Sequence, residues 1–145
     1  MPGILENRIL AIALAGWFLA QAIKLVVELV RNRRLDLRYF VSAGGMPSAH
    51  SALVTSLATA VARHDGAGSP TFAVAAVFAS IVMYDAAGLR QAVSIQARIL
   101  NRMIDELFTE HALREQRLRE LIGHTPVEVA AGFTLGLVVG FVGTL

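Results

Sequence analysis

The chain has 145 residues, the size of one domain, and is 55% hydrophobic, with no cysteine and a formal net charge of +2. Its mean hydropathy of +0.59 lies well above that of a soluble domain. The missing cysteines exclude disulfides and thiol catalysis, and so small a net charge offers no case for a nucleic-acid partner.

The apolar residues come in blocks. The first helix is predicted from about Leu5 to Arg31, and within it Ile9 to Ile23 carries one strongly polar side chain, Gln21. Its basic residues follow the apolar run and no cleavage-like site stands out, so it reads as a retained helix. The second runs from about Pro47 to Ala62 and is the least apolar, with Ser48, His50, Ser51, Thr55, Ser56 and Thr59. Such a helix is poor at facing lipid and good at lining an interior. The third runs from about Thr71 to Leu89, and the fourth from about Thr125 to Thr144. Proline near a helix start is tolerated because its missing N–H has no helical partner there, which fits Pro47, Pro70 and Pro126. Between the third and fourth helices, Ala92, Ile95, Ile99, Leu100, Met103, Ile104 and Leu107 recur at helical spacing among polar residues. This amphipathic cytoplasmic helix either prolongs the third helix or lies along the membrane surface. The fold class expected is therefore all-α, an integral membrane bundle of four transmembrane helices plus that amphipathic helix.

Basic residues set the orientation. Arg31, Arg33, Arg34 and Arg38 lie between helices one and two, and Arg90, Arg98, Arg102, Arg114, Arg117 and Arg119 between three and four. The positive-inside rule places both connections in the cytoplasm and both termini outside.

Two histidine motifs border those connections. Gly44-Gly45-Met46-Pro47-Ser48-Ala49-His50-Ser51 opens helix two, and Gly123-His124-Thr125-Pro126-Val127-Glu128 opens helix four. Histidine entering a hydrophobic layer is costly unless paired, and the N–H groups of a helix start suit an anion. Ser48 either joins those groups on a phosphate or simply caps its helix. His50 either donates a proton to a leaving oxygen or packs in the bundle. His124 and Glu128, at i and i+4, can meet on one face, where the carboxylate would fix the imidazole tautomer; alternatively His124 is a polar cap and Glu128 pairs with a loop arginine. Lys24, the only lysine, shares a face with Arg31. The two suit an anionic group, or Lys24 snorkels and pairs with Glu28. Asp85 and Arg90 flank the end of helix three, as an ion pair or as site residues, with Lys24 a rival partner for Asp85. Gly132, Gly136 and Gly140 form a small-residue ridge that either seats helix four in the bundle or makes a homodimer face.

Three stretches carry a family resemblance: Gly44 to Ser51, Tyr84-Asp85-Ala86-Ala87-Gly88-Leu89-Arg90, and Gly123 to Val129. Together they resemble the divergent branch of the PAP2 phosphatase family, relatives of lipid phosphate phosphatases and vanadium-dependent haloperoxidases. The likeness covers nearly the whole chain. The wider family's lysine, six residues, Arg-Pro motif appears as Lys24 and Arg31, with Asn32 for proline. Its Pro-Ser-Gly-His appears with Ala49 for glycine, its last His–Asp spacing with Glu128 for aspartate, and its arginine slot falls on Leu118. The resemblance implies a metal-independent membrane phosphatase acting on a lipid phosphate, with no cofactor. His124 would form a phosphohistidine, Glu128 would orient it, and His50 would protonate the leaving alkoxide. Lys24, Arg31, Ser48, Arg90 and the N–H groups around Ala49 would hold the phosphate, with Asp85 in support. A small membrane transporter and a non-catalytic lipid-binding relative are the alternatives.

Overall fold

The computed structural model describes residues 3–32, 45–107 and 124–145. A short 3-10 turn, Ile4–Glu6, leads into α1 (Arg8–Asn32), followed by α2 (Ala49–Asp65), α3 (Pro70–Leu107) and α4 (Pro126–Gly143). No strand occurs among the described residues. Helix α2 sits in the middle and packs against the other three, while α1 also meets α4.

Three helices are long and apolar enough to cross a membrane, over Arg8–Val30, Pro70–Ala87 and Pro126–Gly143. Helix α2 is not among them. It has 17 residues, and its serines and threonines keep it polar. The expectation of four transmembrane helices thus holds for three by length and composition. The fourth is a polar helix enclosed by them.

Of the two readings of the amphipathic segment, the structure takes the first: it prolongs the third helix and is not a separate helix. The polar residues from Gln91 onward do not break the chain's helix, because no proline interrupts it. Helix α3 continues for 38 residues to Leu107, a length of about 57 Å against a hydrocarbon core of about 30 Å. The basic connections at 33–44 and 108–123, with their arginines and His111, lie outside the described residues.

The packing is inside-out relative to a soluble bundle. Small residues form the centre, with Ala20, Ala49 and Ala52 clustered and fully buried. Large apolar side chains such as Phe18, Val30, Val74, Val77 and Val142 point outward. With lipid outside there is no drive to bury leucine, so close backbone approach decides the contacts. The glycine ridge settles one alternative. A Cβ on Gly136 would stand 2.6 Å from Thr55 Cβ, and one on Gly140 2.5 Å from Thr59 Cβ. The ridge seats α4 against α2 and is no dimer face.

The far end of the bundle is clamped. Arg8 Nη2 donates to the Gly143 carbonyl at 3.0 Å, and Arg63 Nε to Thr144 Oγ1 at 2.6 Å, while the Arg63 guanidinium lies over the Phe141 ring. Both cations complement the negative end of the α4 dipole. His64 closes the last turn of α2 and is exposed beside Asp65.

Candidate active site

The first turn of α2 is built around Ser48. Its side chain caps the helix, accepting from Ser51 N at 3.3 Å, and also accepts from Ser51 Oγ at 3.0 Å. Its backbone N–H donates to the Glu128 carbonyl at 2.9 Å, and its own carbonyl accepts from Ala52 N at 3.0 Å. The next two amides, of Ala49 and His50, have no acceptor among the described residues. Donors of a first helical turn left in this way are the standard elements of an anion site.

The α4 start meets this turn directly. Thr125 caps α4, and Thr125 and Glu128 form a reciprocal capping box. Glu128 Oε2 accepts from Thr125 N at 2.8 Å and lies 3.3 Å from His124 Nδ1. The backbone N–H of His124 donates to the Ala86 carbonyl at 3.2 Å, tying the segment to α3. His124 is 2% exposed, and its Nε2 has no partner among the described residues. The exposed His50 ring lies 6.0 Å from it, centroid to centroid. Lys24 is buried in α1, its stem passing the bare Cα of Gly45, where φ is +93° and an added Cβ would lie 3.3 Å from Lys24 Cδ.

Burial holds the His124 imidazole below its ordinary pKa of 6.5, the Lys24 charge adds to the lowering, and the Glu128 contact opposes it. Neutral His124 therefore persists below pH 6.5, where an unfolded histidine is already charging. Its contribution to stability is full above that value and falls away as pH drops. If neutral His124 is needed for turnover, kcat/KM rises with pH through a midpoint under 6.5. A midpoint above 6.5 in the pH profile would contradict this assignment.

The buried Ser48–Glu128–His124 junction lies within a sequence match that identifies the family. A family model described as the Divergent PAP2 family matches residues 5–139. The chain belongs to the Divergent PAP2 family. A membrane relative in Bacillus subtilis (strain 168), the uncharacterized membrane protein YuiD, is 39% identical over 150 residues, covering 96% of this chain and 95% of that protein. No solved structure matches. As a Divergent PAP2 member with three apolar helices and a membrane relative, the protein is a membrane protein.

The residues expected at the site divide into groups. Ser48, Ala49, His124 and Glu128 come together at one end of the bundle, with His50 beside them. Lys24 reaches the same end, close enough for its charge to act on His124. Arg31 and Arg90 stand on α1 and α3, but their side chains lie outside the described residues. Asp85 is exposed on α3 and makes no ion pair among the described residues; the α3 contact to the site is the neighbouring Ala86 carbonyl. Among the described residues no group of three or more His, Asp or Glu is placed to hold a metal.

The sequence reading passed over Ser51 as a site neighbour; its signal was its position three residues after the N-cap. Gln21, 5% exposed and three residues before Lys24, is a second buried polar residue, with an Oε1 that has no partner among the described residues. A buried unpaired oxygen costs about 1–3 kcal/mol. Gln21→Leu is therefore expected to raise thermal stability in detergent by about 1 kcal/mol. A fall in melting temperature would contradict that reading.

Proposed function

We propose that the protein is a membrane phosphatase that hydrolyses a lipid phosphate, a monoester or diphosphate, at the cytoplasmic leaflet. One observation carries the reading: a buried histidine directs Nδ1 to a carboxylate while its Nε2, like the Ala49 and His50 amides of the neighbouring helix start, has no partner among the described residues, and a second histidine lies beside it. The carboxylate holds the proton on Nδ1 and leaves the lone pair on Nε2, the form a nucleophile needs.

In the first step the Nε2 lone pair bonds to phosphorus while the bond from phosphorus to the lipid oxygen breaks. That oxygen takes the electron pair and a proton from His50 in its imidazolium form. In the second step water attacks the phosphohistidine, His50 recovers a proton from that water, and the P–N electrons return to Nε2. Inorganic phosphate leaves. The Ala49 and His50 amides, the Ser48 hydroxyl and the cations Lys24, Arg31 and Arg90 offset the charge spread over the equatorial oxygens. No metal or cofactor takes part in this scheme. The cytoplasmic assignment rests on the arginines flanking both motifs. Because the polar groups gather at one end of the bundle, the arrangement favours a phosphatase over a carrier, whose site belongs near the midplane.

The test is to trap the intermediate. Full-length protein in detergent, mixed with a lipid phosphate labelled in its phosphate and quenched in base, should carry acid-labile label on His124. Phosphate release without label on any histidine would overturn the covalent route. Binding without release would favour the non-catalytic lipid-binding alternative, for which Leu118 in the family's arginine slot is the supporting observation.

A further inference from the structure

A serine hydroxyl has one proton to donate and two lone pairs to accept with. At Ser48 both lone pairs are engaged, one by the Ser51 amide at 3.3 Å and one by the Ser51 hydroxyl at 3.0 Å. Its backbone groups are spent as well, on Glu128 and Ala52. Among the described residues one hydrogen-bonding function is left without a partner, the Ser48 hydroxyl proton, on a residue with no solvent exposure. Such a proton needs an acceptor. The neighbouring Ala49 and His50 amides also want one, and the unpartnered Nε2 of a histidine 2% exposed belongs to the adjoining segment.

We propose that Ser51 is a positioning residue that makes Ser48 a donor to a bound phosphoryl oxygen. The proposal rests on the phosphatase reading of the same site. Ser51 fills the acceptor side of Ser48 Oγ, so the Ser48 proton points toward the anion. A chain of hydroxyls running from Ser51 through Ser48 to a charged oxygen polarises along its length, strengthening the last bond. Ser51 is fixed for this work. It is fully buried, and a Cβ on Gly132 of α4 would stand 2.9 Å from Ser51 Cβ, so the ridge lies directly against it. Ser51 touches no substrate in this scheme and acts only through Ser48.

Acting only through Ser48 makes a double-mutant cycle decisive. Orthophosphate binding to the full-length protein in detergent is measured for wild type, Ser48→Ala, Ser51→Ala and the double variant. Each single change is expected to weaken binding about tenfold, the scale of one charge-assisted hydrogen bond. The double variant is expected to bind no more weakly than Ser48→Ala. The same ratios should hold for a short-chain lipid phosphate, because the contact is to the phosphoryl group. Ser51→Gly removes the same hydroxyl and should match Ser51→Ala. A further loss on adding Ser51→Ala to Ser48→Ala would mean that Ser51 acts on packing alone, and would overturn the proposal. So would unchanged binding in Ser51→Ala when Ser48→Ala weakens it. Failure of wild type to bind either phosphate would sink the anion site itself, and the Ser51 role with it.

Discussion

His124→Ala should lower phosphate release from a lipid phosphate by at least about 10³-fold, the scale on which nucleophile deletions fall. No other described group offers a buried, unpartnered nitrogen aligned by a carboxylate. Its neighbour separates two roles of one side chain. Glu128 closes the α4 capping box and faces His124. Glu128→Gln keeps an oxygen for the Thr125 amide, since glutamine serves at that capping position, but it removes the negative charge beside the imidazole. We expect near-normal thermal stability and a rate loss of about 10²-fold. Arg63→Ala, at the far end of the bundle, is the control and should turn over normally. Equal phosphate release by wild type and His124→Ala would end the nucleophile assignment.

Gly132→Ala should damage both fold and turnover. The added Cβ would collide with the Ser48 carbonyl oxygen, at 2.3 Å. Backbone cannot rotate away as a side chain can, so α4 must shift and the Ser48 N–H to Glu128 bond at 2.9 Å must lengthen. Overpacking of this kind costs about 1–3 kcal/mol. Gly140→Ala is the useful comparison, because its Cβ would press on Thr59 and the Ser56 carbonyl, two turns away from the site. Both variants should melt earlier in detergent, and Gly132→Ala alone should lose most of its phosphate release. Equal rates in the two variants would show that the Ser48–Glu128 junction does not govern the site.

Much of this was legible in the sequence because it is local. Apolar blocks placed α1, α4 and the start of α3 to within a few residues. The Thr125-Pro126 start and the i, i+4 relation of His124 to Glu128 became a capping box and a 3.3 Å contact. What escaped depends on which way a helix faces. The Gly132 ridge announced a close contact, but periodicity does not say whether the partner is α2 or another copy. Asp85 was expected as half of an ion pair or as a site residue; α3 turns it outward, the Arg90 side chain lies outside the described residues, and the α3 group that meets the His124 segment is the Ala86 carbonyl. The helical spacing from Ala92 to Leu107 allowed a continuation of α3 or a separate surface helix, and a change from apolar to charged residues does not say which, because charge alone does not terminate a helix. Ser51 looked like one more hydroxyl in a polar seam, and its use emerged only once every bond of Ser48 was counted.

The enclosed polar helix bears on how the chain is made. Synthesis runs from the N-terminus, so α2 emerges long before α4. Until α4 docks, the side of α2 carrying Ser48, Ser51, Thr55 and Thr59 lacks the glycine ridge that later covers it. A helix this polar gains little from lipid by itself. Its early companion is α1, through Ala20 against Ala49 and Ala52. The α1–α2 pair is thus expected to assemble first during synthesis, with the arrival of α4 completing the contact between Ser48 and the Glu128 segment.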